Sequence, residues 1–392
     1  MGALSGVRVL DLSRILAGPT CAQLLGDLGA DVIKVERPGR GDDTRSWGPP
    51  FADPEKSAYY LAANRNKRSI AIDFADPRGS DLVRRLAQRS DILLENYRTG
   101  GLKKFGLDYP SLRTECPGLV YCSITGFGQT GPRAQQPGYD FLAQAMAGTM
   151  SVTGEPAGEP MKVGVGVADI MCGMYASSAV LAALRHRDAT GAGQQIDLAL
   201  FDSTLSWLIN AASNYFVSGE APRRFGNGHP NIVPYQTFEG LDGWLVVACG
   251  NDSQFARLCE ALERAELAED PRYEKNAGRL AHRGELIATL ASIFRVRSVQ
   301  DWIARLEEAQ VPVGPVNDIP SAFAEPQAVA REMTVELGGQ RLVANPLRLS
   351  ETPVEYRHPP PARGEHTDAV LGEALGLDRS ALAALREDHV IE

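Results

Sequence analysis

The sequence predicts an α/β fold: a large domain on a parallel sheet, then a smaller α+β domain. Three observations carry this. Short apolar runs alternate with helical stretches through the first third of the chain. Those runs are apolar almost throughout, as strands covered on both faces are. After about residue 225 the pattern changes to one hairpin-like pair followed by amphipathic helices. A length of 392 residues fits two domains and large cores without disulfides.

The elements follow in order. Residues 7–12 read as a strand, and 20–28 as a helix ended by Gly29. Residues 31–36 are the next strand, closed by Pro38 and Gly39, which makes a βαβ unit. Strands at 69–74, 91–96 and 119–124 and a helix at 81–89 extend the sheet. A mostly helical zone runs over 140–218, clearest at 171–186 and 201–217. A hairpin over 237–249 turns at Leu241-Asp242-Gly243, and helices are expected near 253–264, 283–294 and 299–309. Two strands around Gly338-Gly339, a proline-rich loop at 358–361 and a helix from about Thr367 complete the chain. Residues 1–200 form the large Rossmann-like domain in this reading, 201–224 a linker helix, 225–316 the small domain and 317–329 a second linker.

Forty basic against 49 acidic residues leave a formal charge of −9. That disfavours a general nucleic-acid or membrane-surface binder, while leaving room for a local basic pocket. No apolar run looks long enough to span a bilayer, and the first residues lack a signal peptide's basic and apolar regions. The six cysteines form no C-x-x-C pair, and no histidine lies at metal-ligand spacing from them. Free thiols in a reducing compartment, hence the cytoplasm, and no metal site are expected.

Four segments could carry chemistry. The first βα turn, Arg14-Ile15-Leu16-Ala17-Gly18-Pro19, follows a strand as a dinucleotide loop would. It lacks G-x-G-x-x-G, and Pro19 has no N–H for a pyrophosphate. A basic cluster, Asn64-Arg65-Asn66-Lys67-Arg68, is either a solvated loop or a phosphate site. In Gly164-Val165-Gly166-Val167-Ala168-Asp169 a small-residue strand runs into a long helix. Asp169 there is either a helix N-cap or a nucleophile kept ionised by the helix terminus, with glycines admitting a bulky ligand. Gly226-Asn227-Gly228-His229-Pro230 is either a linker turn or a mobile flap.

At these residues the chain resembles the class III CoA-transferase family, of the formyl-CoA transferase and carnitine CoA-transferase type. The likeness rests on Leu10-Asp11-Leu12-Ser13-Arg14, Ala17-Gly18-Pro19, residues 28–36, Asn66-Lys67-Arg68-Ser69-Ile70 and Glu95-Asn96. It continues through Gly126-Phe127-Gly128-Gln129-Thr130-Gly131-Pro132, Ala168-Asp169 and Gly364-Glu365-His366-Thr367. Within the family, residues 41–50 and 229–236 are most similar to succinyl-CoA:glutarate CoA-transferases. The resemblance implies an interlocked homodimer whose large domain is completed by residues 330–392. It implies CoA transfer from an acyl-CoA donor, succinyl-CoA, to glutarate or a related dicarboxylate through covalent intermediates on Asp169. Coenzyme A is then a substrate, and no cofactor is bound permanently. CoA-contacting positions carried over are Leu16, Ala17, Arg37, Ile72, Asp73, Phe74, Ala75, Asn96, Tyr97, Arg98, Lys104, Gln136, Pro137 and Gly138. Arg14, Arg45, Trp47, Tyr139, Gly228 and His229 are the substrate candidates. Arg14 and Arg45 follow strand ends at the mouth of the site, where a guanidinium would pair with a distal carboxylate.

The family also holds α-methylacyl-CoA racemases, and transfer to a different acid is a further alternative. Racemisation needs a base and an acid on opposite faces of the substrate carbon. The histidine that the racemase branch supplies is replaced here by Tyr139, a poor base at neutral pH. Leu16 and Gly228-His229-Pro230 depart from the formyl-CoA branch, which speaks against oxalate or formate chemistry.

Overall fold

The computed structural model describes residues 1–392 and divides them into two units. The larger comprises Met1–Thr149, Lys162–Ala212 and Val329–Glu392; the other comprises Met150–Met161 and Ser213–Ala328. In the larger unit, β1 (Arg8–Asp11) and β2 (Asp31–Glu36) come first. A small hairpin follows, β3 (Phe51–Asp53) and β4 (Lys56–Ser57), and then β5 (Lys67–Ala71), β6 (Ile92–Glu95), β7 (Val120–Thr125) and β8 (Gln195–Ala199). Six strands form one sheet in the order β5-β2-β1-β6-β7-β8, every pair parallel. Strand order reverses between β1 and β6, and that reversal opens a crevice at the strands' carboxyl ends.

The apolar runs are explained by two cores, one on each face. Leu10, Ile33, Ile70 and Leu93 pack with the Pro77–Ala87 helix and the tail residues Val370 and Leu371. Their neighbours Val9, Val32, Ile92 and Leu94 pack with the helices Ala17–Asp27 and Val167–Thr190. Successive strand residues point to opposite faces, so both sets must be apolar.

Four expectations are corrected. The strand β8 was not foreseen, because Gln195 and Asp197 are exposed and break the apolar run. Residues 201–217 are not one helix but most of Leu200–Ser206 and most of Ile209–Ser218, the second opening on Ile209 at φ +30°. Residues 164–166 form no strand, and the long helix begins at Val167. That helix, Val167–Thr190, is long and apolar enough by composition to cross a membrane. Its apolar character has a local cause: Ala168, Cys172, Ala176, Val180 and Leu184 face the core.

The basic cluster at 64–68 is neither a solvated loop nor a phosphate site. It stands at the amino end of β5, away from the crevice, and its charges are consumed internally. Arg65 pairs with Asp27 at 2.6 Å, Lys67 with Asp11 at 3.1 Å and Arg68 with Asp31 at 2.7 Å. Lys67 is fully buried, its ammonium also donating to the Pro19 carbonyl and to Asn64 Oδ1. Burial of such a charge is tolerable only with its donors satisfied.

After the hairpin of β12 (Thr334–Leu337) and β13 (Gln340–Val343), the tail returns to the sheet. β12 and β13 are numbered after the second unit's β9 (Tyr235–Glu239), β10 (Trp244–Ala248) and β11 (Val313–Pro315). Ile391 bridges Ile72, and Asp73 N–H donates to Val390 O at 2.8 Å, covering the open edge of β5. In the second unit β9, β10 and β11 form an antiparallel sheet in the order β11-β10-β9. Phe238, Leu245, Phe255, Leu290, Phe294 and Trp302 fill its core with the helices Asp252–Ala261, Arg283–Phe294 and Val299–Glu308.

Candidate active site

A cleft of about 610 Å³ opens at the carboxyl ends of β1, β2, β5, β6 and β7. Its walls are the segments that leave those strands: 14–17, 34–37, 72–75, 96–99 and 124–126. Asp169 lines it as the third residue of its helix. So do Arg14, Tyr139 and all the positions named for CoA: Leu16, Ala17, Arg37, Ile72, Asp73, Phe74, Ala75, Asn96, Tyr97, Arg98, Lys104, Gln136, Pro137 and Gly138. Arg37, Arg98 and Lys104 are exposed, with no carboxylate at salt-bridge distance, which makes this wall electropositive. Asn96 is partly committed: its amide accepts Arg14 N–H at 2.9 Å and donates to Arg14 O at 2.7 Å.

Asp169 is not the N-cap. The cap position is Gly166, and the capping is done from elsewhere. Asp140 Oδ1 accepts Ala168 N–H at 2.7 Å and Asp169 N–H at 3.3 Å. Gln144 Nε2 donates to Asp140 Oδ2 at 2.7 Å and fixes the carboxylate in place. Asp140 thus satisfies the helix's free N–H groups, and the Asp169 side chain is left for the cleft. The helix terminus does not hold Asp169 low, contrary to expectation. Burial, with the nearby Asp140 charge, raises it to about 7. The same two carboxylates and burial push the Tyr59 phenol up.

The glycines before Asp169 do not all clear space for a ligand. A Cβ on Gly166 would stand 3.0 Å from Leu16 Cδ2, so this glycine admits the first loop instead. Gly126 and Gly138 approach each other even more closely: a Cβ on Gly138 would lie 2.3 Å from Gly126 Cα.

Four of the named residues lie outside the cleft lining. Arg45 is only 4% exposed, and its guanidinium is spent. Nε and Nη2 clasp Glu36 at 2.8 and 2.6 Å, and Nη2 also donates to Tyr60 Oη at 2.7 Å and Pro361 O at 3.2 Å. It is a structural fork and not a substrate clamp. Trp47 is exposed and meets Tyr59 edge-on, ring centroids 5.2 Å apart. Gly228 and His229 belong to the second unit. There His229 Nδ1 accepts Asn231 N–H at 3.0 Å, and burial and Arg283 lower its pKa.

Asp140, Gln144 and Tyr59 were missed. An acid opening the Asp140–Met146 helix directly after Gly138-Tyr139 was the available signal for the first. Nothing local marks the other two.

The sequence profile of CoA-transferase family III matches residues 4–367. A succinate–glutarate CoA-transferase of Agrobacterium fabrum is 49% identical over 96% of this chain and 97% of its own length. The human succinyl-CoA:glutarate CoA-transferase is 42% identical over 99% of this chain and 90% of its own. A crystal structure of a CAIB/BAIF family protein from Brucella suis superposes with a TM-score of 0.88 at 48% identity. It covers 95% of this chain and 99% of that one.

Proposed function

The chain belongs to CoA-transferase family III and is an enzyme of that kind, and from this premise we propose that Asp169 moves CoA from succinyl-CoA to glutarate. One observation carries the assignment of Asp169. It is a carboxyl in the lining of a cleft that also holds basic side chains with no carboxylate partner, and its pKa is raised to about 7.

The Asp169 carboxylate attacks the thioester carbonyl of the donor and expels CoA thiolate, giving a mixed anhydride. The thiolate attacks the aspartyl carbonyl, which releases succinate and leaves an aspartyl–CoA thioester. The acceptor carboxylate attacks that thioester and expels the thiolate again. The thiolate then takes the acceptor acyl group and restores the Asp169 carboxylate. Arg37, Arg98 and Lys104 suit the phosphates of CoA. The decisive experiment is Asp169→Asn. Exchange of CoA between succinyl-CoA and glutarate is expected to fall by at least about 10⁴-fold with the fold unchanged. Trapping with hydroxylamine is expected to add mass at residue 169 of the unaltered enzyme only. Near-normal exchange in the variant ends the assignment.

The names of the two relatives support the donor and acceptor. Arg14 is the residue assigned to the far carboxylate of the acceptor, since Arg45 is spent. Arg14 lines the cleft and pairs with Asp43 at 2.7 Å, and its Nε is buried without a partner. Arg14→Met is expected to raise KM for glutarate ~10- to 100-fold, because a buried carboxylate loses its fork. KM for a monocarboxylate acceptor is expected to move little. An equal rise for both means that Arg14 serves CoA.

A homodimer with interlocked chains is the assembly we assign. Its support is the apolar surface of the larger unit: Met174, Leu181 and Leu205 are exposed along the helices Val167–Thr190 and Leu200–Ser206.

A further inference from the structure

We propose that Asp42 is a positioning residue for the reaction, holding the Ile15–Leu16 turn against the amino end of the Asp169 helix. The inference rests on Asp169 being the group that reacts.

Ile15 has φ +72°. A left-handed backbone brings Cβ too close to the following carbonyl oxygen, and for a β-branched residue the conformation is a true outlier. Glycine or asparagine would adopt it readily. The surroundings therefore impose it on Ile15. The Ile15 N–H lies 3.2 and 3.3 Å from the two Asp42 carboxylate oxygens. One residue earlier, Asn96 clasps the Arg14 backbone by both its N–H and its carbonyl.

Asp42 is itself fixed. It is fully buried and pairs with Lys34 Nζ at 2.9 Å, and it accepts Thr44 N–H at 3.0 Å and Thr44 Oγ1 at 2.8 Å. Lys34 also donates to Ser13 O at 3.0 Å, so the pair grips the turn from both ends. A buried ion pair is a poor source of stability compared with apolar packing. Directional control of a backbone is something apolar packing does not supply.

On its other side the turn meets the Asp169 helix. Leu16 Cδ2 reaches Gly166, and a Cβ on Gly173 would stand 2.6 Å from Ala17 O. A flip of Ile15 to an ordinary φ redirects the chain after Arg14 and lifts Leu16 off Gly166. The cleft then loses the wall that faces the reacting carboxylate.

The test is a double-mutant cycle between Asp42→Asn and Ile15→Gly, with kcat and KM for succinyl-CoA measured separately. Asp42→Asn is expected to lower kcat about 10-fold and to change KM less than about 3-fold, the size of a left-handed penalty no longer opposed. Adding Ile15→Gly is expected to recover at least about 5-fold in kcat, because glycine enters the conformation unaided. A loss from Ile15→Gly of the same size with and without Asp42 overturns the proposal, as does a defect confined to KM. Where Asp42→Asn does not fold, Thr44→Val removes only the orienting hydroxyl. It is expected to give a smaller loss of kcat with the same rescue, and additivity there overturns the proposal equally. Absence of rescue while Asp169→Asn is inactive removes only the role of Asp42. Exchange by Asp169→Asn removes the assignment of the nucleophile.

Discussion

Burial and the Asp140 charge beside it raise the Asp169 carboxyl, and this sets the pH at which exchange is expected to begin. The Asp169 carboxyl must be ionised to attack, and burial with the Asp140 charge raises it to about 7. The value of kcat/KM for succinyl-CoA is therefore expected to rise with pH through about 7 and level above it. Asp140→Asn keeps an oxygen for the Ala168 and Asp169 N–H groups and removes the charge. The midpoint of the pH profile is expected to move down, measured as kcat/KM from initial rates between pH 5 and 9. An unmoved midpoint means that burial alone holds Asp169 high. The sequence singled out Asp169 but did not show its environment. The helix terminus pointed to a low pKa, whereas burial raises it, helped by the Asp140 carboxylate, which lies 28 residues before Ala168 and caps it.

At the scale of elements, the tail and the sheet meet at one buried carboxylate. Asp27 ends the Ala17–Asp27 helix and accepts from Arg65 Nη2 at 2.6 Å, Asn66 Nδ2 at 2.7 Å and Asn345 Nδ2 at 2.8 Å. Arg65 Nη1 also donates to Val343 O at 2.8 Å, at the end of β13. Removing the carboxylate strands a buried guanidinium, so Asp27→Ala is expected to cost about 3–5 kcal/mol in urea unfolding. The pair Asp27→Leu with Arg65→Met is expected to recover part of that. A cost below about 1 kcal/mol for Asp27→Ala would falsify the hub. The strands β1, β2, β6 and β7 were legible because apolar residues on both faces, such as Val9 and Leu10, Val32 and Ile33, or Leu93 and Leu94, make short runs without alternation. The edge strand β8 was not, since one face of it is wet. The basic run at 64–68 misled for a related reason. Residue type shows a charge, and only the fold shows the carboxylate that it meets.

For the whole molecule, the proposed dimer would cover Met174, Leu181 and Leu205, which the helices Val167–Thr190 and Leu200–Ser206 leave exposed, and would couple folding to association. Light scattering is expected to give twice the chain mass, and the thermal midpoint to rise with protein concentration. A single-chain mass with a concentration-independent midpoint rules the dimer out. The second unit is made of two segments, Met150–Met161 and Ser213–Ala328. No single motif in the sequence announced the short first segment, because its strand and helix signals are weak.

The tail that closes the edge of β5 also dictates when the crevice comes into being. Gly39 N–H donates to Glu392, a residue 353 positions later, and Asp73 N–H waits for Val390. Synthesis at about 5–20 residues per second separates the two partners by ~20–70 s. During that interval the nascent chain carries β5 with an open edge and the Ile72–Asp73 wall unsupported. A growing polypeptide in that state offers its bare strand to any neighbour, including the same segment on the next ribosome of a polysome. The Ile72–Asp73 wall of the crevice is thus supported only once residues 390–392 have been made, and a chain stalled beforehand is a hazard for aggregation and an early client for chaperones.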